Sequence, residues 1–389
     1  MILTTIILFL LILGVIVFVH ELGHFMMAKL YDVKVEEFAL GFPPRIASFK
    51  KGETEYSLNS VPLGGYCKIM GEDGEEKNNP RSFGSKSVGK RFLILSAGVI
   101  MNFVLAFVIF SVIFTAGFPQ NVTNENLSIV KSDRYDASGV SGMAQMEGTK
   151  SVKDIKVQIS EIVKDAPADK AGLETGDTIV KAGKKEITSI EDLQNYTEEN
   201  LGKPITLSIL RGEENITKEI TPRMEYPNGE GAMGISLIKT AVVSYAPLEA
   251  IKKGYEYTVH LTIFIIMAFA TVIWGLITTG KTAAEVSGPV GIAIMTQQAA
   301  SMGFMTILHF TALISVNLAI INAIPFPALD GGRLLFLMVE KIKGSPINQK
   351  WEAKANNAGF ALLMLLMVVV TFKDIVKFDL WGKVMGLLG

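Results

Sequence analysis

The chain has one cysteine, Cys67, in 389 residues, so no intrachain disulfide can form and a disulfide-stapled fold is excluded. Cys67 reads as a small, semi-buried residue. A charge bias is also missing: 37 Lys and Arg stand against 38 Asp and Glu. The basic excess that marks nucleic-acid binders is absent, and no nucleic-acid partner is expected. Charge of either sign is scarce at 19%, while hydrophobic residues reach 49%. No basic stretch precedes Ile2 and no small-x-small site ends the first apolar run, so that run is expected to stay in the chain rather than be cleaved as a signal peptide. Histidine is rare, with four in all, and two of them lie four residues apart.

What is present is long apolar sequence. Residues 2–19, 92–118 and 258–279 form three runs, 304–339 a fourth interrupted by prolines, and 360–372 a shorter fifth. A helix needs about 20 apolar residues to cross a bilayer core. The first four runs approach or exceed that length, and the fifth does if 355–359 extend it. This is the pattern of a multi-pass membrane protein.

Ten Lys or Arg fall between Lys34 and Arg91, and four between Lys341 and Lys354. The positive-inside rule places both segments in the cytoplasm, and so the N-terminus and the stretch after Phe118 outside. An odd number of crossings must then separate an external 155–223 from an internal 341–354. The run 304–339 supplies one. Residues 258–279 are therefore expected to be a membrane-associated or re-entrant segment rather than a further span.

The segments follow. Residues 1–30 form the first transmembrane helix. Residues 31–91 form a cytoplasmic-side loop with a β-hairpin, its strands near 55–59 and 64–69, punctuated by Gly41, Pro43, Pro44 and Pro62. A second span covers 92–118, and 119–154, rich in Ser, Gly, Asn and Asp, is a linker. Residues 155–223 form a small α+β module, with a helix capped by Ser189. Residues 224–303 connect it to a third transmembrane region at 304–340. A fourth helix at 355–373 and a tail at 374–389 complete the chain.

His20 and His24 project about 40° apart around a helix with a rise of about 6 Å, so both imidazoles can reach one metal ion. Glu21 lies beside them, placed to take a proton from water at that ion. This is the HExxH arrangement of zinc peptidases. Ionisable groups inside an apolar helix cost roughly 2.5–3.5 kcal/mol each at its centre, which argues for a function. Two histidines leave a tetrahedral zinc short of one protein ligand and a water. Asp330, an anion among apolar residues in a run broken by Pro325 and Pro327, is the partner the sequence offers. Broken backbone at membrane depth survives where it lines a cavity or is buried in protein. His260 and His309, near the starts of apolar segments, read as packing or interfacial residues.

His20-Glu21-x-x-His24 with Asn322-x-x-Pro325-x-Pro327-x-Leu329-Asp330-Gly331 resembles the site-2 protease family, and more narrowly its bacterial regulator of sigma-E protease group. Gly41-Phe42-Pro43-Pro44, Pro62-Leu63-Gly64-Gly65-Tyr66, Asn102-Phe103 and Ser287-Gly288-Pro289-Val290-Gly291 match in order, so the likeness covers nearly the whole chain. Ala168-x-x-Ala171-Gly172-Leu173-x-x-Gly176-Asp177 resembles a PDZ domain of bacterial proteases. One such module is evident, where some family members have two.

The resemblance implies Zn2+ held by His20, His24 and Asp330, with Glu21 as general base. It implies substrate contacts from Asn317 and Asn322, and from the strand carrying Gly64, Gly65 and Tyr66, to which an extended substrate would add as a further strand. A PDZ groove near Ala171, Gly172 and Leu173 could capture a peptide carboxyl terminus, or the module could act as bulk that excludes large ectodomains. The expected fold is a membrane α-helical protein with about four transmembrane helices, a cytoplasmic-side membrane-associated β-hairpin and an extracytoplasmic α+β PDZ-like domain.

The expected activity is intramembrane zinc-dependent endopeptidase cleavage of single-span membrane proteins or remnant signal peptides, often in signalling, at the inner (plasma) membrane among membrane lipids. An alternative is a membrane-tethered zinc peptidase acting on soluble peptides outside the bilayer; His20 directly continues an apolar run, which counts against it. A silent membrane scaffold is a third reading, and the intact Glu21 counts against that one.

Overall fold

The computed structural model describes residues 2–72, 78–121, 149–212, 214–227, 230–280, 288–345 and 347–378. The chain divides into two units, Met1–Phe110 with Gly254–Gly389, and Ser111–Lys253.

The first unit opens with α1 (Ile2–Leu30), followed by strands β1 (Val35–Lys51) and β2 (Thr54–Ile69) and by α2 (Val88–Ala116). Within α1, Ile12, Ile16, His20, His24 and Ala28 recur every four residues, and all are buried. The histidines thus continue the packing stripe of the helix. The strands meet at a turn where Gly52 has φ 65° and Lys51 faces Thr54. Both strands bend, so Phe38 has Tyr56 on one side and Cys67 on the other. Across the ply the order is 65–69, 35–40, 55–58, 45–51. The outer edge of 65–69 has no strand partner among the described residues.

The strands expected at 55–59 and 64–69 are two parts of the single 16-residue β2. The long β1 was hidden by Gly41, Pro43 and Pro44, which read as breakers but sit where the strand bends, Gly41 at φ 83°. Val33, Val35, Phe38, Cys67 and Ile69 pack with Ala28, Phe83, Ile94, Leu95 and Leu337 into one core. Glu53, in the hairpin turn, accepts hydrogen bonds from Arg81 and, at 2.6 Å, from Lys29 at the end of α1. Those bonds, Arg81 first, hold its carboxyl down at about 2 and pin the hairpin tip to α1.

The remaining helices of this unit are α5 (Pro247–Thr279, which begins in the other unit), α6 (Pro289–Ser301), α7 (Phe304–Ala323), α8 (Asp330–Lys343) and α9 (Gln349–Lys377). Among the described residues five helices are long and apolar enough to cross a membrane: α1, α2, α5, α7 and α9. About four were expected to cross, with 258–279 membrane-associated or re-entrant, and the structure speaks against the re-entrant alternative alone. That stretch lies in one uninterrupted 33-residue helix that does not turn back. It has no proline beyond its first residue, and Gly254 and Gly275 are isolated glycines that a helix tolerates.

The expected third region at 304–340 is two helices, because the chain leaves helical geometry between Ala323 and Asp330. Helix α6 was not anticipated. Its N-terminus has no side-chain cap of its own. Instead Asp374, buried on α9, accepts from the backbone N–H groups of Gly288 and Gly291 at 2.9 and 2.7 Å. Ser287 of that motif, and the tail from 379 onward, lie outside the described residues. His309 pairs with the Tyr257 hydroxyl at 3.1 Å, a packing contact between α7 and α5.

The second unit is an antiparallel sheet with helices α3 (Pro167–Lys170) and α4 (Ile190–Glu198). Its strands are β3 (Phe118–Asn121), β4 (Thr149–Ile162), β5 (Thr178–Ala182), β6 (Lys185–Glu186), β7 (Ile205–Arg211), β8 (Glu214–Ile220) and β9 (Ile235–Tyr245). The order is β3-β9-β4-β5-β7-β8, with β6 on β5. Ser189 caps α4 in a reciprocal box with Asp192, both bonds at 3.0 Å. The sheet extends past the anticipated 155–223 to β9. The ends of the stretch read as linker belong to β3 and β4, and its middle, 122–148, lies outside the described residues.

Candidate metal centre and active site

Three buried or half-buried ligand atoms converge from two helices. His20 Nε2 and His24 Nε2 are 3.3 Å apart, and Asp330 Oδ2 lies 3.0 Å from the first and 3.3 Å from the second. Around a tetrahedral zinc with nitrogen ligands at 2.0–2.1 Å, neighbouring ligand atoms stand roughly 3.3 Å apart. The triangle has the right size for one ion. Asp330 Oδ2 is also a buried oxygen with no hydrogen-bond partner despite its nearness to both imidazoles. A cation bound between the three atoms accounts for such an orphan. The residues present fit zinc.

Helix α2 sets the imidazoles. His24 Nδ1 donates to the Ile94 carbonyl at 2.9 Å, which leaves Nε2 free as a ligand. Asn102 sits with its side-chain nitrogen 3.3 Å from His20 Nδ1, while its own Oδ1 is buried without a partner. Turning that amide by half a rotation lets Oδ1 accept from the Nδ1–H of His20 and satisfies both groups. Ser315 on α7 in turn donates to the Asn102 carbonyl at 2.8 Å.

Between these contacts stands Gly98. A Cβ there would collide with His24 Nε2 and lie 2.8 Å from His20 Nε2. Gly23 faces the Ala97 backbone just as closely, so α1 and α2 touch through two glycines. Gly98→Ala is therefore expected to displace the imidazoles and lower activity about 100-fold, the usual cost of ångström-scale misplacement. Zinc content of the purified variant checks the cause, since it should fall with activity.

Asp330 is delivered by the break in the chain. Ala328 is held at φ 76°, in the left-handed region, and its N–H donates to the Asn356 side chain at 3.2 Å. A Cβ on Gly331 would meet the Ile324 and Ala323 carbonyls, one on Gly332 the Phe326 carbonyl, and one on Gly359 the Pro327 carbonyl. Close backbone packing at these glycines fixes where α8 begins.

A cavity of about 490 Å³ opens beside the triangle, lined by Glu21, His24 and Asp330 on one side and by residues 65–69 on the other. Gly65 lies flat against α1: a Cβ there would stand 3.0 Å from Val17 and 3.4 Å from the Glu21 Cγ. Tyr66 lines the cavity, and a Cβ on Gly64 would run into the Phe42 ring. Asn322 Nδ2 reaches within 3.4 Å of His20 Nε2. Asn317 is not brought to the triangle in this way; its Nδ2 donates to the Leu313 carbonyl one turn back at 3.0 Å.

The residues named for a peptide groove, Ala171, Gly172 and Leu173, directly follow α3. Leu173 is a core residue of the second unit and Ala171 packs against that core. Gly172 turns the chain at φ 71°, its carbonyl accepting from Arg211 at 2.9 Å. An open edge exists elsewhere: β9 pairs with β4 along its length but with β3 only over residues 240–243. Residues 235–239 are left without a strand on that side among the described residues, and α4 contacts β9. Ile94, Gly98 and Asn102 were missed as site residues. Their four-residue spacing on α2 was the available signal.

The family model for peptidase family M50 matches residues 8–366. A Clostridium perfringens protein named as a zinc metalloprotease is 34% identical over 368 residues, covering 94% of this chain and 97% of its own. The zinc metalloprotease RasP of Oceanobacillus iheyensis is 30% identical over 456 aligned positions, covering 96% of this chain and 99% of its own. The regulator of sigma-W protease RasP of Bacillus subtilis is 29% identical, with the same coverage of 96% and 99%. Site and sequence together define a zinc metalloprotease with Zn2+ as its cofactor. The chain belongs to peptidase family M50, the site-2 proteases.

Proposed function

We propose that the chain is an intramembrane endopeptidase that cuts single-span membrane proteins or remnant signal peptides, in a regulatory role like that named for its sigma-W relative. The observation that carries this reading is the buried triangle at the end of an apolar helix, with the outermost described strand, 65–69, across the cavity from it.

His20, His24 and Asp330 would hold the zinc, and the ion bound there would supply a Lewis acid for a peptide carbonyl and for water. Glu21 takes the water's proton and passes it to the leaving nitrogen. The edge 65–69 holds the unwound substrate by adding it as a strand, which matters because a helical substrate hides its peptide bonds. Asn322 offers an amide to the substrate backbone close to His20, and Asn317 is the more distant candidate for that role.

The enzyme sits in the inner (plasma) membrane with the first end of α1 and the second unit outside. Segment 34–91 and helix α8 share the cytoplasmic side, supported by the Arg91–Glu340 and Arg333–Glu72 ion pairs that join them. In the second unit, a peptide carboxyl terminus would dock at residues 235–239 of β9.

The test compares one cleavable sequence embedded as a single span in liposomes with the same sequence as a soluble peptide, both given to reconstituted enzyme. The embedded form should be cut and the soluble one left largely intact. Preferential cutting of the soluble peptide would sink the intramembrane reading.

A further inference from the structure

Among the described residues the strand 65–69 has a strand partner on one side, residues 35–40. Besides the core packing of Cys67 and Ile69, contacts at its two ends hold it against the metal site. At the first end, Gly65 rests on α1 beside Glu21. At the far end the chain leaves β2 at Ile69, is tied back by the Met70 N–H to the Lys34 carbonyl at 2.9 Å, and turns at Gly71 with φ 71°. Glu72 then forms an ion pair with Arg333. Arg333 lies one turn after Asp330 on α8, so this pair links the strand to the helix that supplies the third candidate ligand.

The surroundings single this pair out. Glu72 and Arg333 line the cavity beside the triangle and also a second cavity of about 320 Å³ next to it. They stand where the two meet. Seven residues further along α8, Glu340 pairs with Arg91 of α2 at 2.5 Å, on the same helical face, with Leu337 buried between. That second pair joins helix to helix. Glu72–Arg333 is the one of the two that reaches the strand.

We propose that Glu72 and Arg333 form a positioning latch. It fixes the strand edge 65–69 at a set distance from the Asp330 turn, and so sets which peptide bond of an added substrate strand faces Glu21. Neither residue touches the reacting atoms. Their effect passes through the strand and rests on the strand-pairing role given to that edge above.

Cys67 makes the latch measurable, because the sole thiol of the chain lies buried in this strand. The full-length protein in detergent is compared with Glu72→Gln, Arg333→Gln and the charge-swapped pair E72R/R333E. The readouts are zinc content, the rate of Cys67 alkylation by a maleimide, and kinetics and cut position on a single-span substrate. The single variants should keep zinc and label Cys67 several-fold faster. Their kcat/KM should drop about tenfold, mostly through KM, with cuts spread over neighbouring bonds. The swapped pair should return labelling and cut position toward wild type.

Unchanged labelling in zinc-loaded single variants would overturn the latch. If the single variants lose zinc, the swapped pair decides: recovered zinc with slow labelling supports the latch, and no recovery overturns it. Faster labelling with unaltered cleavage would leave the latch standing and remove the strand-pairing role instead.

Discussion

Glu21→Gln should leave the protein folded and zinc-loaded yet unable to cut, with turnover of a single-span substrate down about 10²–10⁴-fold. The reasoning is local. Glutamine matches glutamate in shape, and Glu21 is not one of the atoms in the ligand triangle, so the ligands keep their places. What is lost is a carboxylate that can hold a proton between water and the leaving nitrogen. The side chain is well placed for that task, since it lines the cavity with His24 and Asp330 and abuts the strand edge at Gly65. Turnover and zinc content measured on the same preparation check the claim. Wild-type turnover in the glutamine variant would remove Glu21 from the chemistry.

Asp330→Asn separates the metal from the base. The carboxamide keeps the size of the side chain but gives up the negative charge and the orphaned Oδ2 that the two imidazoles face. Removing an outer-shell partner of a metal ligand typically costs 10–100-fold in affinity, so losing a ligand itself should weaken zinc by more than about 100-fold. The fold should survive, because contacts of Gly331, Gly332 and Gly359 with neighbouring backbone set the start of α8 without help from the carboxylate. Competition with a chelator gives the affinity, and helical content by circular dichroism tests the fold. Zinc held as tightly as in wild type would move the third ligand elsewhere.

Some of this was legible in residues alone. The spacing of His20 and His24 encodes one face of one helix, and an aspartate between apolar residues and prolines announces a buried cation. Those signals are local, so a string of letters carries them. Gly98 and Asn102 are different, because their roles depend on which helix lies opposite. A glycine in an apolar run looks like any other until the imidazoles it makes room for are placed beside it.

The long β1 was obscured for a related reason. Its glycine and prolines forbid a flat strand yet suit a bent one, and the bend is what gives Phe38 strand neighbours on both sides. The Ala171-Gly172-Leu173 signature encodes a turn and a core contact, while an open edge lies over 60 residues later. Charge counting likewise carries no information on continuity, so it left a re-entrant form open for 258–279, which is one uninterrupted helix.

The tight break between α7 and α8 acts as a spacer of fixed length. A helix turns about 100° per residue, so one residue added or removed there would swing the Asp330 carboxylate away from the imidazoles or force the glycine contacts apart. Between Ala323 and Asp330 the number of residues is itself part of the active site.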